Sequence, residues 1–241
     1  MSTTMTLAQI RAAIRQRCNM ENSAFISDAE FTSYINQSYF ELYDLLVQEF
    51  GGNYYVAPPL SLTTDGIASQ YALPDGVLYS GAPAIFKLLG VDLQVGTAQE
   101  RITLKPFNFA ERNKFSTPNI LNAYGVTALR YNLNGSNILF TPLPAGGQIL
   151  YLWYVPRMTT LSSESDVVDG VSGWTEYIIN DCCIKALTKE ESDAAVFLAQ
   201  KQALIKRIES AAEHRDIGAP PTVSDSRNDW NSQYWYDGVT F

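Results

Sequence analysis

The sequence predicts an α+β protein: an α-helical bundle built from both ends of the chain, an antiparallel β-domain inserted between them, and an extended C-terminal tail. Three observations predict it. Residues 6–50 and 174–215 carry apolar side chains at intervals of three and four, the helical period. Nine of the eleven prolines lie between Asn53 and Pro156, among Asp-Gly and Asn-Gly dipeptides and short β-rich runs. After Arg215 neither pattern persists. Helices with one apolar face need others against them, so the two ends of the chain are expected to close on each other.

Thr6 caps the first helix, "LAQIRAAIRQRC", in which Leu7, Ile10 and Ile14 share a face. Ser27 and Glu30 have the spacing of a capping box. They open a helix of about 22 residues whose stripe is Phe31, Tyr34, Ile35, Ser38, Tyr39, Leu42, Leu45, Leu46 and Phe50, ended by Gly51-Gly52. In the central region "LSLTT-DG-IASQYALP" predicts a hairpin about Asp65-Gly66. "FNFAERNKF" predicts a short helix. "ALRYNL-NG-SNILFTPLP-AGG-QILYLWYV" predicts a three-stranded meander turning at Asn134-Gly135 and Gly146-Gly147. In its last strand Ile149, Tyr151, Trp153 and Val155 lie on one face and Leu150, Leu152 and Tyr154 on the other, so that strand is expected to be central or sandwiched.

After the polar link "TTLSSESDVVDGVSG" come two helices. The first buries Trp174, Tyr177, Ile178, Cys182, Ile184 and Leu187; the second, capped by Ser192, buries Phe197, Leu204, Ile205, Ile208 and Ala211. The short connection predicts an antiparallel pair. The expected divisions are 1–52 for the N-terminal helices, 53–157 for the inserted β-rich domain, 158–215 for the closing helical hairpin and 216–241 for the tail.

Composition narrows the function. Apolar residues make up 46%, aromatic residues 12% and charged residues 17%, the last low against the roughly 25% of ordinary soluble domains. Much of the surface is therefore neutral or buried against something, which suits a component of an assembly; a Tyr-rich monomer is the other reading. Net charge is −8, and it is uneven. Residues 1–50 carry 3 basic and 6 acidic side chains, residues 51–150 carry 6 and 5, and residues 151–241 carry 8 and 14. Nucleic-acid affinity is dominated by cations neutralising phosphates, and no basic run appears. An acidic surface repels DNA and lets it slide past, a useful property for the wall of a conduit. Neither a signal peptide nor an apolar run long enough to span a membrane is visible.

The chemistry-bearing residues are sparse. Cys18, Cys182 and Cys183 lack zinc spacing and read as small buried hydrophobes on helices. The one histidine, His214, sits at a helix C-terminus, where the dipole favours its cation. No phosphate-binding glycine loop, metalloprotease helix or nucleophile elbow occurs. Glu164, Asp166 and Asp169 are close enough in sequence to form a carboxylate pair, yet in a Ser-rich linker solvated charge is the default. No enzyme and no cofactor are expected.

Taken together, "LAQIRAAIRQRC…FISDAEFTSYINQSYFELYDLL", "YALPDGVL", "NILFTPLPAGGQILYLWYVPRM" and "WTEYIINDCCIKALTKEES" resemble tailed-bacteriophage head-to-tail adaptor proteins, also called head-completion or connector proteins. Phe31, Tyr34, Ile35 and Asn36 match the family's second helix; Pro142, Pro144, Gly146, Gly147, Tyr154 and Pro156 match its meander. The resemblance covers about residues 6–215 and rests on structural residues. It implies a homo-oligomeric ring, usually of about twelve copies, in the virion neck and in the host cytoplasm during assembly. That ring sits under the portal protein and receives a tail tube, nozzle or other tail ring protein, while DNA passes without specific binding. A different tail ring component, such as a terminator or nozzle, is one alternative, and a tail-associated carbohydrate-binding or glycan-cleaving protein another.

The tail gives this reading its candidate site. Pro220 and Pro221 interrupt any period, and Trp230, Tyr234, Trp235, Tyr236 and Phe241 crowd the last twelve residues. Large rigid rings on an otherwise extended segment read as anchors that order on a partner; folding back over the protein's own bundle is the alternative. The resemblance implies the portal as that partner.

Overall fold

The computed structural model describes residues 5–77, 79, 82–115, 129–168, 171 and 173–214. Four α-helices are found among them: α1 (Leu7–Arg17), α2 (Asp28–Phe50), α3 (Thr175–Lys189) and α4 (Ala195–Glu213). Helix α1 packs on α2 and α3, α2 on α3 and α4, and α3 on α4, so the two ends of the chain share one core. Leu7, Ile10, Ile14, Phe31, Ile35, Leu42, Leu46, Ile178 and Ile208 are sealed within it.

The caps explain where the helices begin. Thr6 and Gln9 bond reciprocally, each side chain accepting from the other's backbone N–H. The next two donors of α1 are met from far away in sequence, Leu7 N by the Asp166 carbonyl at 2.8 Å and Ala8 N by that of Glu164 at 3.2 Å. Ser27 accepts from Glu30 N as expected, but the box at α2 is only half formed: Glu30 turns its carboxylate to Lys189 and Tyr34, because α3 passes close by. Gly51, at φ 80°, ends α2 in the left-handed region that glycine adopts without steric cost. At α4 the expected Ser192 cap is replaced. Asp193 Oδ1 accepts from Ala195 N at 2.8 Å, and the helix starts two residues later than the sequence suggested. Ala211 is exposed, while Leu204 and Ile208 are buried. Ile184 is only half-buried, since α3 presents Ile179, Cys183 and Ala186 to the core as well.

Among the described residues between α2 and α3 lie eight strands: β1 (Leu60–Thr63), β2 (Gln70–Ala72), β3 (Ile85–Gln94), β4 (Arg101–Thr103), β5 (Lys105–Pro106), β6 (Arg130–Asn134), β7 (Asn137–Thr141) and β8 (Ile149–Pro156). They form two four-stranded sheets, β1-β8-β3-β4, antiparallel throughout, and β2-β7-β6-β5, in which β5 and β6 run parallel. Phe109–Phe115 forms a 3-10 helix at the predicted short helix.

Two sequence expectations are corrected here. The Asp65-Gly66 turn does not join a hairpin, since β1 pairs with β8 and β2 with β7. Nor is 129–156 a three-stranded meander: β6 and β7 pair about Asn134-Gly135, but β8 crosses to the other sheet. The two turns cause both changes together. Asp65 Oδ1 accepts from Ile67 N and Ala68 N, widening its turn, and Gly66 packs so closely on Gly146 that a Cβ would lie 2.8 Å from its nitrogen. At this shared corner both chain segments change sheet. The apolar faces then meet, with Leu62, Leu150, Leu152, Val91 and Leu93 of one sheet against Leu73, Ile138 and Phe140 on the side of the other. A single flat sheet would have left those faces in water.

Bundle and sheets are joined by a small aromatic seam. Tyr43 on α2 donates to the Pro156 carbonyl at 2.8 Å, is buried with Val47 and Val155, and contacts the rings of Tyr55 and Phe86. Burial pushes the Tyr43 hydroxyl up to about 12.

Candidate functional site

The portal-docking residues expected from the sequence, Pro220, Pro221, Trp230, Tyr234, Trp235, Tyr236 and Phe241, lie outside the described residues, as does Asp169. The functional features that the fold does assemble are elsewhere, in the bundle interior and on one sheet face.

Inside the bundle, Asp181 is 4% exposed and faces two cations. Lys185 Nζ and Lys201 Nζ each lie 2.7 Å from its carboxylate, Ser38 Oγ lies 2.6 Å away, and Lys201 also reaches Glu41 at 2.9 Å. Burial pushes the Asp181 carboxyl up, but hydrogen bonds from Lys185, Lys201 and Ser38 outweigh it and hold the group below its ordinary value. Ser38 and Lys185 stand 2.9 Å apart, the separation of a serine–lysine nucleophile pair. They do not act as one. Ser38 is wholly buried, and Lys185 Nζ is engaged by the Asp181 carboxylate. The Cys182 thiol is pushed up to about 12 by burial, which suppresses the thiolate a nucleophile needs. This constellation locks three helices together.

The linker carboxylates are equally occupied. Glu164 accepts from Arg11 at 2.7 Å, and Asp166 accepts from the backbone N–H groups of Ser162 and Ser163. The Glu164–Arg11 pair and the backbone carbonyls of Glu164 and Asp166 hold the segment before α3 onto α1, while the Glu164 side chain stays 65% exposed, in line with its reading as solvated charge. Asn36 completes the attachment: its side chain accepts from Leu161 N at 2.8 Å and donates to the Leu161 carbonyl at 2.9 Å. That bidentate clamp gives a physical reason for an asparagine at this point of the helix pattern. Cys18, Cys182 and Cys183 are buried, as expected of small hydrophobes. His214 closes α4, its Nδ1 2.7 Å from the Ser210 carbonyl. No group of three or more His, Cys, Asp or Glu among the described residues could hold a metal ion, and no described helix is long and apolar enough to cross a membrane.

The sheet face is different. Strand β8 is central, as the sequence predicted, and its Leu150, Leu152 and Tyr154 point into the core. Its other face carries Ile149, Tyr151 and Trp153, all half-exposed. Trp153 Nε1 donates to Asp92 Oδ2 at 2.6 Å, Tyr151 donates to Gln94 at 3.0 Å, and the Arg101 guanidinium stacks 3.6 Å above the Tyr151 ring. Beside Trp153 a shallow hollow of about 370 Å³ is lined by Val56, Leu89, Gly90, Asp92 and Thr103. A second hollow, of about 550 Å³, is lined by Arg17, Glu176 and Asn180 on one side and by Phe197, Leu204 and Arg207 of α4 on the other. Sequence reasoning singled out β8 as apolar on both faces without marking Trp153 and Asp92 as a surface pair; the signal was the strand's double apolar pattern.

A bundle closed by both termini, sheets inserted within it, buried polar groups spent on locking helices, and aromatic rings kept at the surface together define a structural component built for contact. The chain belongs to the SU10 adaptor protein family, a phage head-tail adaptor family whose model matches residues 5–225. Pro220 and Pro221 fall inside that match, and Trp230 to Phe241 lie beyond it. No curated protein matches the chain. Its role is accordingly that of a phage adaptor, a structural one.

Proposed function

We propose that the protein forms a homo-oligomeric ring of about twelve copies between portal and tail, lining the DNA exit channel without catalysing a reaction. The family match over residues 5–225 carries this reading. In it, the helices of 1–52 and 158–215 form the body of each subunit, the inserted region 53–157 reaches toward the tail, and acidic surface borders the DNA. Residues 216–241 dock on the portal through Pro220, Pro221, Trp230, Tyr234, Trp235, Tyr236 and Phe241. The aromatic density of that segment supports this, since Trp and Tyr dominate binding hot spots.

Deleting residues 217–241 tests the docking. The truncated chain is expected to stay soluble, to unfold cooperatively and to be no longer captured by immobilised portal subunits. Unfolding on truncation would assign the aromatics to the protein's own core instead. In the full chain, Trp230→Ala and Trp235→Ala are each expected to weaken portal binding by about 2 kcal/mol, measured by titration calorimetry.

A further inference from the structure

We propose that Cys18 and Cys183 are an oxidisable thiol pair, a site at which a disulfide can form and tie the end of α1 to α3. The fold brings them together from opposite ends of the chain, since α1 packs directly on α3. Arg17 reaches across, donating to Glu176 at 2.9 Å and to Asn180 at 3.2 Å. Glu176, Asn180 and Cys183 recur at helical spacing, so they share the face of α3 that the last turn of α1 meets. Cys18 follows Arg17 and meets that face too: the Cys183 thiol donates a hydrogen bond to the Cys18 sulfur. Both belong to the bundle core, with Cys183 sealed and Cys18, at the helix end, 8% exposed.

The third thiol shows what the pairing changes. Cys182 lies 3.3 Å from Ser38 Oγ instead of against a sulfur, and burial suppresses its thiolate. At Cys18 the bond from Cys183 prevails over burial and the Glu190 charge, the Arg17 guanidinium assists, and the thiol is held below its ordinary value. The better thiolate therefore sits at the exposed edge of the pair, where attack on an incoming disulfide begins. Given a low-molecular-weight disulfide RSSR, the Cys18 thiolate bonds to one sulfur and expels the other half, which takes up the proton that Cys18 had shed. The Cys183 sulfur then displaces the second half and passes its own proton to it. Two protein thiols are oxidised to one disulfide, and RSSR is reduced to two RSH. The new bond closes a loop containing α2 and all eight described strands. Reducing surroundings leave the pair open; oxidising ones close it.

The native full-length chain is incubated with 2-hydroxyethyl disulfide, then denatured, and its remaining thiols are capped with N-ethylmaleimide. The reduced chain carries three caps. After oxidation a monomer with a single cap, on Cys182, is expected, and proteolytic mapping should find the Cys18 and Cys183 peptides joined. Cys182→Ala is expected to leave that linkage intact and Cys18→Ser to abolish it. Wild type carries the decision, so no variant has to fold: its denaturation midpoint should rise on oxidation and return with dithiothreitol. Three caps after native oxidation, a linkage through Cys182, chains joined to one another, a lasting adduct on Cys18 alone, or a linkage that leaves the midpoint unmoved would each overturn the proposal. The experiment uses neither portal nor a second copy, so the ring reading and this pair stand or fall separately.

Discussion

The helical bundle and the sheet region use polar and aromatic groups in opposite ways. The bundle places charge inside: Asp181 with Ser38, Lys201 with Glu41, and Asn36 on the Leu161 backbone, fasten segments more than a hundred residues apart. The sheet region keeps its interior apolar and sets Trp153, Tyr151 and Arg101 outside. Interior polar groups add geometric specification at a desolvation cost, whereas exposed rings gain their free energy only when something covers them. The difference teaches that the bundle spends its polar groups on its own packing, whereas the sheet face keeps aromatic rings half-exposed.

The largest expected effect lies in the bundle core. Phe31→Ala removes a fully buried ring from the bundle and is expected to cost about 4 kcal/mol. Because Tyr43, Val47 and Val155 join bundle to sheets, calorimetry should show one shifted transition; two would mean independent units. Next, Asp181→Ala takes the shared carboxylate from Lys185 and Lys201, leaving Lys201 only Glu41, and is expected to cost about 3 kcal/mol by chemical denaturation.

The same residue sets a pH dependence. Its folded-state pKa lies below the unfolded value, so its contribution is fully present above about pH 4, the unfolded carboxyl range, and is lost as pH falls through the depressed folded value. Denaturation curves between pH 6 and pH 3 should therefore show wild type losing more stability on acidification than Asp181→Asn.

Asn36→Ala, which removes both bonds to Leu161, is expected to cost about 2 kcal/mol and to speed hydrogen exchange at the Leu161 amide. The smallest effect sharpens the contrast most. Val56→Asp, on the sheet face, should change stability by no more than about 0.5 kcal/mol by chemical denaturation.

The apolar stripe from Phe31 to Phe50, the Thr6 and Gly51 boundaries and the Asn134-Gly135 hairpin were legible because each rests on local geometry: a helical period, a cap, a left-handed turn. The partners of Asp65-Gly66 and Gly146-Gly147 were not, since two turns that look like hairpins become sheet crossings only when stacked on one another. The attachment of the linker at Glu164 and Asp166 was hidden for the same reason: the arginine and backbone amides it meets belong to α1, far away in sequence.

By itself, then, the sequence determined which stretches are helix or strand, that both termini close one bundle, and that β8 is apolar on both faces. Only the tertiary structure decided which strand lies beside which, which carboxylates are paired, and which face of β8 meets the second sheet. Local period and turn chemistry act over a few residues and can be read along the chain. Pairing across more than a hundred residues depends on which apolar faces can meet, and that is fixed only when the whole chain packs.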